Sequence, residues 1–237
     1  MRRHHLLAIA LISLASAAGA QGRGRGRGRD EHPENHGRDV SQAEQQRRIT
    51  EEQARQRDYQ ARLDAQVRAA EAQQAQIQAQ HHAAELAQQQ RYIEALRRQQ
   101  EQARAQREIA REAYITAPMT YRYRLNGTYR ETNQYGADIL RQAVNNGYGQ
   151  GYQQGQADRS DGLRSDYRRS FAYQDANYGY TGMYIPQNDY NYYFRQGFQR
   201  GYQDGYANAN RYGTYSNGAG SILGNILNSI LGLTTIR

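Results

Sequence analysis

The chain has 237 residues, no Cys, no Trp, 21 Tyr and a formal charge of +8, and only 38% of it is hydrophobic. Much of that fraction is Ala and Tyr, which excludes a large aliphatic core; a packed unit must be built on tyrosine rings whose hydroxyls stay near water or a partner. Without cysteine there are no disulfides and no thiolate ligands, so the fold rests on packing alone.

The chain opens with Met1-Arg2-Arg3-His4-His5, runs through apolar residues from Leu6 to Leu14, and reaches the small residues Ala18-Gly19-Ala20. This pattern predicts a signal peptide over 1–20, cleaved after Ala20, and a secreted or periplasmic mature chain. Residues 21–39 read as a disordered linker. Its run of Gly alternating with Arg23, Arg25, Arg27 and Arg29 has nothing to bury and repels itself. The run reads first as a flexible tether, and its four arginines are candidate contacts for anionic envelope polymers, lipid headgroups or extracellular DNA. Inside a cell the same run would point to RNA; behind a signal peptide, nucleic acid is disfavoured as a partner. His32 and His36 have a helical metal-ligand spacing, but Pro33 and Gly37 break the helix, and the adjacent His81 and His82 point in different directions. No metal and no cofactor are expected.

Residues 40–115 contain no Gly or Pro and are rich in Gln, Ala, Arg and Glu, which predicts one long polar helix. Ser41 followed by Glu44 forms a capping box at its start and Pro118 lies beyond its end. A continuous rod would be about 110 Å long. Leu63, Val67, Ala70, Gln74, Ile77, His81 and Ala84 follow a coiled-coil alternation. The phase then slips, and Leu86, Gln89, Ile93, Leu96, Gln100, Ala103, Arg107 and Ala110 carry it on. So polar a seam supports at most weak self-association.

Residues 116–215 form a Tyr-rich domain. In its first part, Tyr121–Leu125 and Thr128–Thr132 flank Asn126-Gly127, the pair that favours a type I′ hairpin turn. That turn sets Arg122 opposite Glu131 and Tyr123 opposite Arg130. An isolated hairpin is marginal, so this one is expected to lean on the helices C-terminal to it.

Those helices are written as a duplication. Gly147, Gly151 and Gly155 recur as Gly197, Gly201 and Gly205; Tyr148 and Tyr152 recur as Phe198 and Tyr202. Asp138 and Asp189 read as N-caps of helices at about 138–159 and 189–210. Three glycines at four-residue spacing cost about 0.8–1 kcal/mol each against Ala, so they need a compensating contact. They form a bare stripe beside an aromatic ridge, suited to packing one helix into the other. The fold class expected is therefore mainly α: a long polar helix and two glycine-striped helices with a minor β-hairpin.

The stripes resemble the glycine-every-fourth-residue helices of eukaryotic adaptors that help load iron–sulfur clusters, over Gly147–Gly155 and Gly197–Gly205. The predicted signal peptide argues against carrying that role over. Together with Tyr135-Gly136-Ala137-Asp138, the stretch from Tyr173 to Tyr180 and the stretch from Tyr190 to Arg195, the chain also resembles uncharacterised secreted bacterial proteins. Those join a signal peptide, a Gln/Ala/Arg-rich helix and paired G-[YF]-x-x-G repeats; the resemblance implies a shared fold and names no activity.

Between the repeats, Asp158, Asp161 and Asp166 invite a calcium-loop reading, but their spacing departs from that motif. A solvated loop whose acids pair with Arg159, Arg164 and Arg168 is the expectation. The sequence shows no nucleophile with a matching His, no His after His82 and no phosphate-cradling motif, so catalysis is not expected. Residues 220–235 read as an amphipathic C-terminal helix, too short to span a bilayer. It is expected to pack on the glycine-helix pair; docking on a partner is the alternative, and a membrane interface is disfavoured by the lack of basic residues on its polar face. The leading expectation is an exported, non-enzymatic structural or protein-interaction module of the bacterial envelope or exterior. The alternatives are an anionic-surface binder, using Gly22–Arg29 together with Arg122, Arg124, Arg168 and Arg169, and a peripheral membrane protein held by its tail.

Overall fold

The computed structural model describes residues 40–80, 82–105 and 111–236. The predicted signal peptide, the Arg-Gly linker with Arg23, Arg25, Arg27 and Arg29, and His32, His36 and His81 lie outside the described residues.

The fold is mainly helical, with two small sheets. In chain order come α1 (Gln42–Ala79), α2 (Ala83–Ala105), α3 (Arg111–Thr116), β1 (Tyr121–Leu125), β2 (Thr128–Thr132) and α4 (Gln134–Ser160). After them come α5 (Phe171–Asp175), α6 (Gln187–Ala207), β3 (Gly213–Ser216), β4 (Ala219–Ile222), α7 (Gly224–Leu231) and β5 (Thr234–Thr235). A 3-10 turn, Tyr167–Arg169, precedes α5.

The long segment begins as expected, with the Ser41 hydroxyl accepting from the Glu44 N–H. It does not continue as a rod. The helix ends at Ala79, and α2 folds back along α1 as an antiparallel hairpin. Gln89 donates to the Ala70 carbonyl at 3.0 Å, Arg97 pairs with Glu71, and Gln99 donates to the Tyr59 hydroxyl at 2.7 Å. As positions rise in α2, their partners fall in α1. Among the described residues, the two parts of the heptad-like seam therefore face each other within one chain, and Leu63, Ala70, Ile77, Ile93 and Leu96 are buried. The phase slip between Ala84 and Leu86 lies just past this turn.

No Gly or Pro forces the break. It is stabilised from elsewhere: the Asp161 carboxylate, just past the end of α4, accepts from the Ala84 and Glu85 N–H groups at 3.1 and 2.7 Å and caps α2. The hairpin is thus part of the core rather than a separate spacer. Tyr59 meets Tyr180 edge-on at 5.4 Å, and Arg48 donates to the Ile115 and Ala117 carbonyls.

The β1–β2 hairpin has the expected register, with Arg122 opposite Glu131 and Tyr123 opposite Arg130. Asn126 and Gly127 take φ of 49° and 86°, as a type I′ turn requires. β5 adds to β1, giving the order β2-β1-β5. The buried Tyr123 and Leu125 turn this sheet inward, where Tyr123 packs on Tyr193 of α6.

The two glycine-striped helices are present, but not with the predicted caps. α4 starts four residues before Asp138, where the Asn133 side chain accepts from the Gly136 N–H. α6 starts after Pro186, before Asp189. Asp138 instead pairs with Arg141 on the surface, while Asp189 is 1% exposed and serves the core.

The tail also departs from expectation. Residues 220–235 are not one amphipathic helix: β4 pairs with β3, the eight-residue α7 comes next, and β5 joins the first sheet. Leu231 is fully buried, so the tail packs internally. The β3–β4 hairpin turns on Asn217-Gly218, with φ of 51° and 80°, a second type I′ signal of the same kind as Asn126-Gly127.

Candidate functional site

The residues singled out for helix packing are brought together at the centre of the molecule. α4 and α6 run parallel, and their backbones touch. A Cβ on Gly147, Gly151 or Gly155 would lie well inside 3.0 Å of the Phe194, Phe198 and Tyr202 carbonyls respectively. Reciprocally, a Cβ on Gly197, Gly201 or Gly205 would meet the carbonyls of Val144, Tyr148 and Tyr152. Each stripe is the groove that receives the other helix's backbone, so the contact compensates the propensity cost of glycine. Tyr148, Phe198 and Tyr202 are fully buried beside it and Tyr152 nearly so.

Sequence reasoning missed Gly149, which sits off the stripe. A Cβ there would touch Gly220 of β4, and one on Gly220 would strike Gly149. The signal was in the repeat: the position matching Gly149 in the second copy is Gln199, and it is α4 that carries the β3–β4 hairpin at this point.

It also missed what the aspartates do. Burying a carboxylate without partners is costly, and in this molecule tyrosine hydroxyls are the recurring donors. Tyr148 donates to Asp204 at 2.9 Å, Tyr202 to Asp158 at 2.6 Å, Tyr123 to Asp189 at 2.5 Å and Tyr92 to Asp175 at 2.5 Å. Asp204 also accepts from the Arg211 and Tyr212 N–H groups, and Asp189 from Arg130. Burial pushes the Asp158 carboxyl up, with Tyr202 and Gln154 pulling it back; burial likewise raises Asp175 against its bonds from Tyr92 and Asn177. The tyrosines move up as well, because burial disfavours phenolate and the neighbouring carboxylates add to that.

The calcium-loop candidates are accounted for in the same way. Asp158 accepts from Tyr202 and Gln154, Asp161 caps α2, and Asp166 caps the 3-10 turn at the Arg168 N–H. Tyrosine, glutamine and backbone donors hold them rather than the predicted Arg159, Arg164 and Arg168 side chains. His82 lies 3.1 Å from Glu85 at the start of α2. Among the described residues, no group of three or more His, Cys, Asp or Glu is arranged to hold a metal, and no helix is long and apolar enough to cross a membrane.

Two arginines and a tyrosine stand on the outer face of the three-stranded sheet. Alternation along β1 puts Arg122 and Arg124 on the side opposite the buried Tyr123 and Leu125. Arg124 is paired across the hairpin with Tyr129, whose ring is 57% exposed and lies 5.0 Å from the Arg122 guanidinium. Arg122 also donates to the Thr234 hydroxyl of β5 at 3.1 Å. Beside this face a cleft of about 570 Å³ opens between the β1–β2 turn, α6 and the end of α7, with Arg124, Tyr129 and Tyr192 on its walls. No family model, curated protein or solved structure matches the chain.

Proposed function

We propose that the protein is an exported, non-enzymatic interaction module of the bacterial envelope or its exterior. The carrying observation is the division of its polar groups. The buried carboxylates are occupied by tyrosine, arginine and backbone donors, whereas Arg122, Arg124 and Tyr129 stand together on an outward sheet face beside an open cleft. Tyr and Arg are the side chains most enriched where proteins make energetic contacts.

Anionic-surface binding is the second reading. The pairing of Arg122 and Arg124 on one exposed face favours it, and the four arginines of the Arg-Gly segment would add to the attraction. Attachment through the tail has less support, since Leu231 and β5 are held within the fold.

The test is fractionation of the native host, with the envelope pellet washed separately in high salt and in alkaline carbonate. The interaction module is expected outside the cytoplasm, released by carbonate and largely retained in salt. Release by salt would transfer the function to the arginines, retention through both washes would restore the tail, and a cytoplasmic location would overturn export.

A further inference from the structure

We infer that the cleft between the β1–β2 turn, α6 and α7 binds an acidic saccharide, a segment of a uronate-bearing polymer. The inference rests on the reading of the chain as an exported binding module and supplies the ligand class for the open face of that module.

Size and lining carry it. A cleft of about 570 Å³ falls within the range of small-ligand sites. Among the described residues, its only charged lining side chain is Arg124. No hydrogen bond or ion pair among those residues engages that guanidinium, unlike Arg130, which is tied to Asp189, and Arg195, which is tied to the Tyr173 carbonyl. The nearest acid on the same sheet face, Glu131, stands opposite Arg122 rather than Arg124. A planar guanidinium without a counter-ion matches a carboxylate through two parallel hydrogen bonds.

A bare anion would need only the arginine. The walls offer more: Tyr129, which carries the Arg122 guanidinium over its ring, and Tyr192 supply aromatic rings of the kind that pack against the C–H face of a pyranose. Asn126, Asn228 and Ser229 supply the amide and hydroxyl groups that sugar hydroxyls require. Tyr192 is held in place by an edge-on contact with Tyr193 at 5.1 Å, and Tyr193 is itself anchored to the Arg124 carbonyl at 2.6 Å. The arginine strand and the α6 wall are thus fixed relative to each other before any ligand arrives, which lowers the cost of binding. A lining of one cation, two phenols and several amides and hydroxyls is ill suited to an apolar ligand and to a nucleic acid, whose repeated phosphates call for several cations.

The experiment is calorimetric titration of the full mature chain with an oligogalacturonate, a neutral cello-oligosaccharide and inorganic sulfate. Binding of the oligogalacturonate is expected, with sulfate at least tenfold weaker. Arg124→Gln should weaken oligogalacturonate binding at least tenfold and leave the cello-oligosaccharide unchanged; Tyr129→Ala should weaken both sugars. Both side chains are exposed, so circular dichroism should show the fold intact. Absence of oligogalacturonate binding, equal binding of sulfate, or binding undiminished by Arg124→Gln would overturn the proposal. A chain with Arg23, Arg25, Arg27 and Arg29 replaced by Gln separates the two readings. Binding lost there and kept in Arg124→Gln overturns the cleft but leaves an anionic-surface module standing.

Discussion

Where α4 meets α6 the two backbones touch; where α1 meets α2 side chains lie between them. Both pairs are helical and both are buried along one face, yet they depend on opposite features of sequence. The central pair works because side chains are missing at Gly147, Gly151, Gly155, Gly197, Gly201 and Gly205. The outer pair works because long polar side chains are present: Gln89 reaches the Ala70 carbonyl, and Gln99 reaches Tyr59 and the Asn177 carbonyl. Close approach without side chains leaves no slack, while amide-mediated packing can adjust by a rotamer.

The sharpest way to break that contrast is to add one methyl group to the central pair. Gly151→Ala or Gly201→Ala sets a Cβ against a backbone carbonyl that cannot move without separating the helices. The expected loss is about 3 kcal/mol, at the upper end of overpacking, read by thermal denaturation. The reverse exchange in the hairpin, Ala70→Gly, should cost only about 1–2 kcal/mol. Equal losses would show that the two interfaces are equally strict.

Alkali should act next, destabilising the tyrosine-lined core. Burial raises Tyr59 and Tyr184 to about 12, and it raises Tyr148, Tyr190 and Tyr202 further. A folded-state value above the unfolded one near 10 gives stability that is complete below pH 10. It is lost as the pH rises through the folded value, at about 1.4 kcal/mol per pH unit for each phenol kept protonated. Phenolate absorbance should therefore appear in two stages, exposed tyrosines first and the buried set only with unfolding. A single smooth titration would mean that the hydroxyls are not held by the fold.

The smallest effect belongs to the joint between the two regions. Asp161→Ala removes the cap of α2 and should cost about 1 kcal/mol. Faster amide exchange is expected at Ala84 and Glu85, with α4 and α6 protected as before. If exchange rises equally in α4 and α6, the hairpin and the glycine pair are one cooperative unit.

Much of this was legible in advance, unevenly. The glycine stripes and Asn126-Gly127 each carry their meaning within a few residues, since a four-residue spacing on a helix makes a face and an Asn-Gly pair makes a turn. Asn217-Gly218 carried the same signal and was hidden by the apolar residues after it, which read as the start of a helix. Asp138 and Asp189 fit the pattern of caps, but Asn133 and Pro186 supply the starts, and Asp189 is drawn inward by Tyr123 and Arg130. The open face was only half visible. Alternation placed Arg122 and Arg124 on one side of β1, but nothing local indicated that Tyr192 and the end of α7 would line a cleft with Arg124.

The sequence by itself determined the two striped helices, the first hairpin and its register, and the polar helical character of the long N-terminal segment. These arise from periodicity, turn chemistry and propensity, all of them short-range. Only the tertiary structure decided that α1 ends at Ala79 and α2 starts afresh at Ala83, that the tail divides between two sheets, and that the aspartates pair with tyrosines. In each case the deciding partner comes from far along the chain, as Asp161 does for α2 and β1 for β5, and no local pattern records a group that arrives only when the chain has folded.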